Sequence, residues 1–423
     1  ADALYLNPVF TAASNHRYDT ADYGHVDPAL GGDAGLQALA GALHRRGMRY
    51  LLDIAPNHCG VSHPWFVAAL RDPGCLEAAF FRFQRHPAEY DCWLGVHSLP
   101  KLRYASAELR RRMFEAEDAV FRRWLRPPFA ADGWRVDVAN MLGRQGPEQL
   151  GPEVARMLRA AVKATRPDAY LLAEHWFDAS ACLQGDQYDG AMNYAGFTHP
   201  LLWWLAGHDL AAFGRPDRVR SPVPWTTAAL LATLRQRLGA SPWAIAGQQL
   251  NLLSSHDTPR VLTRLGGDRA LVRLAVTVQL CYPGVPCVYY GDEIGLADAP
   301  RLGSRGCMPW DESGWDRELL ALHRRLLALR RSSPALQAGS FQVVARGRDH
   351  FAFLRGLGPE RVLVLVHRGA EPLARPRVAA AAAGLPDGLE FEEALGGGRA
   401  RVEAGALALP DQPRGASVWR AHW

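Results

Sequence analysis

The stretch Asp132–Asn140, DGWRVDVAN, sets a cation and an anion two residues apart inside an otherwise apolar run. Trp134, Val136 and Val138 alternate with Arg135, Asp137 and Ala139, which is the period of a β-strand. One face of that strand therefore carries Arg135 and Asp137 side by side. Taken alone, the pattern fits a half-exposed strand with a satisfied ion pair equally well, so the flanking sequence has to decide.

Moving outward, strands alternate with helices. Upstream, ALYLNPVF (3–10) reads as a strand, followed by a helix over 34–46 with Asp33 as its N-cap and Gly47 as its stop signal. RYLLDIAPNH (49–58) is a strand again. An irregular insertion follows at about 59–104, then one long helix, SAELRRRMFEAEDAVFRRWL (106–125). Downstream come helix PEVARMLRAAVKA, strand AYLLAEHW, short strand GAMNY, helix TTAALLATLRQRL, strand LNLLSSHD, helix RALVRLAVTVQL, strand VPCVYYGDE and helix DRELLALHRRLLALR. Strands too apolar for one-sided burial, alternating with helices, indicate a parallel sheet. Seven strands with crossover helices come closest to a (β/α)8 TIM barrel with one strand short.

From about Pro334 the rhythm changes. FQVVARG, HFAFLRG and RVLVLVHRG are short runs divided by Gly and charge, with no helix between them, and they predict a C-terminal antiparallel β-sandwich domain. The expected division is a barrel over 1–335 and a β domain over 336–423. The run Ala379–Gly384 reads as a loop.

Composition excludes several classes. Hydrophobic content of 48% with 22% charged residues is that of a water-soluble globular chain. The net charge of +5 is dispersed, and arginine runs such as HRRLLALRR lie at helical spacing among leucines, so no nucleic-acid or membrane surface is expected. No apolar run reaches the ~18 residues of a membrane span. Seven cysteines without CxxC or Cys/His spacing predict free thiols in a reducing compartment, hence a cytoplasmic protein.

In a barrel, the loops after the C-terminal strand ends build the active site. Asp53, Asn57 and His58 end one strand, Arg135 and Asp137 the next, Glu174 another, and His256 with Asp257 a fourth. Any one of these acids could be a helix cap; four directly after buried strands are not explained that way. Carboxylates converging with His and Arg, without metal-ligand spacing, suit cleavage at an acetal, where one carboxylate attacks and one carboxylic acid protonates the leaving oxygen. Arg135 beside Asp137 would keep that aspartate ionised, and desolvation would let Glu174 hold a proton nearer neutrality. No metal and no cofactor are expected.

DIAPNH, GWRVDVAN, LLAEHW and SSHD, in that order, resemble the signature segments of the α-amylase superfamily of glycoside hydrolases. The resemblance implies Asp137 as nucleophile, Glu174 as general acid/base and Asp257 as a third carboxylate that grips and distorts the sugar. It implies that Arg135 orients the nucleophile, that His58 and His256 bond sugar hydroxyls, and that Tyr18 stacks beneath the ring. Asp53, Asn57, His175 and Arg305 complete the implied substrate-binding set. LYLNPVF, YDTADYGHVDPALGG, SLPKLRY, AEHW with its His175, AMNYAGFTHPL and GVPCVYYGDEIGL are similar to maltodextrin glucosidase, whereas DVAN leans toward neopullulanase and cyclomaltodextrinase. The expected substrate is thus a maltodextrin or related α-glucan oligosaccharide. Glucosyl transfer and a homodimer of the full-length protein stay open. A non-enzymatic amylase-like ectodomain would have lost the acids that this chain keeps.

Two departures from the family pattern stand out. The segment ADAPRLGSR keeps Arg305 but replaces the aspartate usual before it, which puts outer sugar contacts in doubt. The chain also begins inside a strand, so the barrel's first strand and helix are expected to be missing from it. That absence would leave open sheet edges prone to aggregation or strand swapping.

Overall fold

The computed structural model describes residues 1–210 and 220–423, which group into two compact units, Ala1–Met192 and Asn193–Trp423. In the first unit, five strands form one parallel sheet. β1 (Ala3–Tyr5), β2 (Arg49–Ile54), β3 (Gly133–Val136), β4 (Tyr170–Ala173) and β5 (Gly190–Ala191) lie in that order. β3 and β2 are in register with Asp53 opposite Arg135, so the ladder itself sets these two side chains next to each other. Gly133 is where β3 squeezes between its neighbours: a Cβ there would stand 2.1 Å from Tyr170 O and 2.8 Å from Leu51 Cδ2.

The second unit carries the parallel pair β6 (Leu250–Leu252) and β7 (Val285–Cys287). All seven strands read from the sequence are therefore present, but as sheets of five and two. Among the described residues no single ladder closes them into the expected barrel. β5 has just two residues, and Pro286 withholds an amide from β7, so hydrogen bonding is thinnest there.

Several boundaries move. ALYLNPVF is not one strand: after Tyr5 the chain passes Pro8, and Phe10–Ala12 pairs antiparallel with Thr20–Val26. The first helix runs Gly32–Arg45 with Gly31 (φ 91°) at its N-cap; Asp33 sits inside the first turn, where its Oδ1 accepts from Val26 N–H. The long helix expected over 106–125 is interrupted. It becomes an α-helical turn at Ala107–Arg110, a π-turn at Arg111–Glu115 and a further turn at Val120–Arg123, with Ala116 and Ala119 extended between them. Packing overrides propensity here. The break lets Phe121 meet Trp134 edge-on at 5.1 Å and lets the Trp124 indole donate to Tyr23 O.

The helices Thr227–Leu238, Arg269–Cys281 and Arg317–Arg331 start where capping chemistry places them. Thr226, Asp268 and Asp316 accept from Ala229, Leu271 and Leu319 N–H. The carbonyls ending Arg269–Cys281 are held by two cations, Arg330 on Leu280 O and the fully buried Arg355 on Cys281 O, which complement the negative end of the helix dipole.

The C-terminal strands are β8 (Gln342–Arg346), β9 (His350–Leu357), β10 (Glu360–His367), β11 (Arg377–Ala379), β12 (Glu390–Glu393), β13 (Arg399–Glu403), β14 (Ala406–Ala408) and β15 (Gly415–His422). Instead of the two sheets of a sandwich they make one antiparallel sheet, ordered β8-β9-β10-β15-β12-β13-β14-β11. The reason lies in the alternation of β9 and β10. Phe351, Phe353, Val362, Val364 and Val366 face a core shared with the helices, while Ala352, Leu354, Leu363 and Leu365 pack on Val378, Phe391, Val402 and Leu407 of the sheet's other half. The sheet curls over itself, and the ladder stays continuous. Within the run expected to be a loop, Ala381–Ala383 forms a single 3-10 turn.

Candidate active site

Four strand ends of the first unit supply one buried charged cluster. Arg135 on β3 is completely buried, and its Nη1 donates to Asp53 Oδ1 and Oδ2 at 2.9 and 3.1 Å and to Asp137 Oδ1 at 2.5 Å. Its Nη2 lies 2.9 Å from Glu174 Oε1. One guanidinium is thus shared by three carboxylates from β2, β3 and β4, which is what its planar fork permits and a lysine ammonium does not. Tyr5 from β1 and Tyr18 from the following loop both donate to Asp53 Oδ2, at 2.7 and 2.8 Å. Burial pushes both phenols well above their ordinary range, so they stay protonated donors. The Tyr18 ring also lies 5.7 Å from the Arg135 guanidinium carbon.

Glu174 receives two hydrogen-bond donors, the Trp176 indole at 3.0 Å on Oε1 and Val138 N–H at 2.7 Å on Oε2. Val138 reaches that position only by adopting φ 48°, left-handed backbone in a β-branched residue. Strain of this kind costs ~1–3 kcal/mol and persists where the surroundings over-determine it.

Beside this cluster lies the PNH turn. His58 is buried, and burial together with the Lys101 cation holds its imidazole down to about 3, so it is neutral. Its Nε2 and Asn57 Oδ1 are both buried without a hydrogen-bond partner. Trp93 packs against His58 at 5.7 Å between ring centres, and its indole N–H is likewise buried and unpartnered. Three orphaned polar atoms in one place match a ligand that supplies hydroxyl groups. Lys101, buried and bridged antiparallel to His58, donates through Nζ to Arg144 O at 2.6 Å. His175 turns to its own loop, its Nδ1 accepting from Phe177 N–H.

In the second unit, His256, Asp257 and Arg305 form a cluster of their own. His256 Nε2 is 2.9 Å from Asp257 Oδ2, and Arg305 donates to Asp257 Oδ1 at 3.0 Å and to His256 O at 2.9 Å. The structure thus brings Tyr18, Asp53, Arg135, Asp137 and Glu174 together in one unit, with Asn57 and His58 on the neighbouring turn, and His256, Asp257 and Arg305 together in the other. Sequence reasoning missed Tyr5, Trp93, Lys101, Trp176 and the backbone of Val138. Tyr5 carried a signal, because an aromatic hydroxyl inside a half-buried strand needs a partner. The others act through folding of the loops and carried none.

Residues 1–320 match the family described as alpha amylase, catalytic domain. The chain belongs to the α-amylase family. A cyclomaltodextrinase from Geobacillus thermopakistaniensis is 36% identical over 377 residues, which is 87% of this chain and 59% of that protein. Neopullulanase 2 from Thermoactinomyces vulgaris is 34% identical over 378 residues, 87% of this chain and 60% of that protein. The chain therefore spans about three fifths of the length of these curated relatives. Among solved structures, the cyclic α-maltosyl-(1→6)-maltose hydrolase of Arthrobacter globiformis superposes with a TM-score of 0.81 at 32% identity, covering 99% of this chain and 86% of that one. Among the described residues no helix is long and apolar enough to cross a membrane.

Proposed function

We propose that this chain is the catalytic part of a retaining glycoside hydrolase that cleaves α-1,4-glucosidic bonds in short or cyclic maltodextrins. The observation that carries the reading is the shared guanidinium of Arg135. Two carboxylates bound to neighbouring nitrogens of one arginine are held close, which favours the ~5–5.5 Å separation of a retaining pair over the ~6.5–9.5 Å of an inverting one.

In the first step Asp137 attacks the anomeric carbon, the bond to the leaving oxygen breaks, and Glu174 delivers a proton to that oxygen. In the second step the Glu174 carboxylate takes a proton from water, whose oxygen displaces Asp137 and releases the sugar. The two donors and the Arg135 cation around Glu174 suit the carboxylate that this second step needs. Asp53 holds Arg135, Tyr18 and Tyr5 in place; Tyr18 offers a face to the ring; neutral His58, Asn57 and Trp93 meet hydroxyls; Asp257, held by Arg305, is the third, sugar-gripping carboxylate.

Some sequence segments are similar to maltodextrin glucosidase, but the relatives include a cyclomaltodextrinase and a neopullulanase, and DVAN leans the same way. These favour the cyclomaltodextrinase–neopullulanase type. The seven cysteines are all free, in keeping with a cytoplasmic setting. The test is product analysis with full-length protein on maltotriose, γ-cyclodextrin and pullulan. Rapid ring opening with panose from pullulan is expected. Glucose from maltotriose without ring opening would return the assignment to maltodextrin glucosidase, and no cleavage of any of the three would end the proposal.

A further inference from the structure

Behind Asp257 the second unit carries a buried ion pair that none of the roles above uses. Arg260, three residues past Asp257, is fully buried. Its Nη1 donates to Tyr290 O at 2.6 Å and to Asp292 Oδ1 at 3.2 Å, while Nε and Nη2 have no partner. The guanidinium carbon lies 4.7 Å from the ring centres of both Tyr289 and Tyr290. Those phenols hold the Arg305 segment on both sides: Tyr289 donates to Ser304 O at 3.3 Å and Tyr290 to Gly306 O at 2.6 Å. Between them Arg305 holds Asp257.

Asp292 also reaches the start of the loop that bears Asp257. It hydrogen-bonds Ser254, whose Oγ accepts from Val261 N–H at 2.8 Å. The Arg260 N–H donates to Asp298 Oδ1 at 2.9 Å. Both ends of the segment Ser254–Arg260 are therefore tied to Asp292, one through Ser254 and one through Arg260.

We propose that the Asp292–Arg260 pair is a positioning element for Asp257, tightening the Arg305 segment when Asp292 is charged and loosening it when Asp292 is neutral. The inference rests on the reading of Asp257 as a sugar-gripping carboxylate given above. Its physical basis is the dryness of the site. Arg260 touches Asp292 through one nitrogen, so protonating that carboxylate leaves a buried guanidinium without its counter-charge. Burial pushes Asp292 up to about 7, against the pull of Ser254 and Arg260 and with a further push from Glu293. The neighbouring Cys287 thiol is held at about 12 and the Tyr289 phenol is raised by burial, so neither titrates in that range.

The experiment compares wild type with Asp292→Asn, which keeps the shape and removes the charge. In wild type, kcat/KM on maltotriose should fall roughly tenfold as pH drops through ~7, to a plateau above the inflection of the nucleophile. Asp292→Asn should show the plateau value at pH 8 and no inflection near 7. Tyr290→Phe, which removes the bond to Gly306 O and leaves the buried pair intact, should lower kcat/KM yet keep the inflection. Hydrogen exchange of the segment 301–307 at pH 8 supplies a readout independent of turnover, with protection in Asp292→Asn expected to fall roughly tenfold while that of β9 and β10 is unchanged. An unaltered inflection in Asp292→Asn, or equal protection of 301–307 in both proteins, overturns the inference. Loss of protection in a chain that cleaves no glucan would instead retain the positioning element and count against the proposed function.

Discussion

Replacing Arg135 by lysine tests the shared guanidinium directly. The arginine meets Asp53 and Asp137 through Nη1 and Glu174 through Nη2. A lysine ammonium keeps the charge but is one point donor. It can stay on the Asp53–Asp137 side, and it then abandons Glu174. The loss is one buried ion-pair contact at a site with no exposure of the arginine, roughly 1.5–3 kcal/mol for a polar contact to a charged group. If that loss falls on the transition state, kcat/KM drops roughly ten- to hundredfold. Arg135→Leu removes the cation altogether and strands three carboxylates, a cost of ~3–5 kcal/mol or more against a domain stability of ~5–15 kcal/mol. Urea unfolding followed by tryptophan fluorescence reads stability, and hydrolysis of γ-cyclodextrin reads turnover. Arg135→Lys matching wild type to about 0.5 kcal/mol and within about twofold in kcat/KM would refute the idea that the fork is what organises the acids.

Three further outcomes are expected. Asp137→Asn should lose several orders of magnitude in turnover because no glycosyl-enzyme can form, and early product from wild type should keep the α-anomer by NMR; an inverted anomer contradicts the retaining scheme. His58 titrates at about 3 when folded and near 6.5 when unfolded, so the unfolded chain takes up a proton first and stability falls as pH drops below ~6.5. His58→Asn should flatten the fall in urea midpoint between pH 7.5 and pH 4.5, and equal slopes would show that the imidazole is not dry. Gly133→Ala would bring its Cβ against Tyr170 O and N, at 2.1 and 2.8 Å, where backbone cannot yield, and should cost at least ~3 kcal/mol in thermal unfolding.

The parallel strands were legible because each is a short apolar run closed by polar residues, and that same closure exposed Asp53, Asp137, Glu174 and Asp257. What the pattern could not show was pairing. Nothing in RYLLDIAPNH and GWRVDVAN taken separately says that Asp53 stands opposite Arg135, and it is the register of β2 on β3 that makes the cation common to three acids. The helix over 106–125 failed for the complementary reason. Its local propensity is uniform, and the break at Ala116–Ala119 is imposed by where Phe121 and Trp124 find aromatic partners. The curl of the C-terminal sheet escaped notice likewise, since alternation in β9 and β10 reports two buried faces without saying that the second is covered by the sheet's own far strands.

Val138 bears on how the protein could be improved or damaged. A laboratory selection for heat tolerance would reward glycine or asparagine at this position, because either accepts φ 48° more easily than a β-branched side chain. The same exchange would keep the amide aimed at Glu174, because the conformation that presents it is the one the new residue accepts more easily. Melting temperature should then rise while turnover holds, so that the hardiest descendants of such a selection would have shed strain without giving up the donor to Glu174.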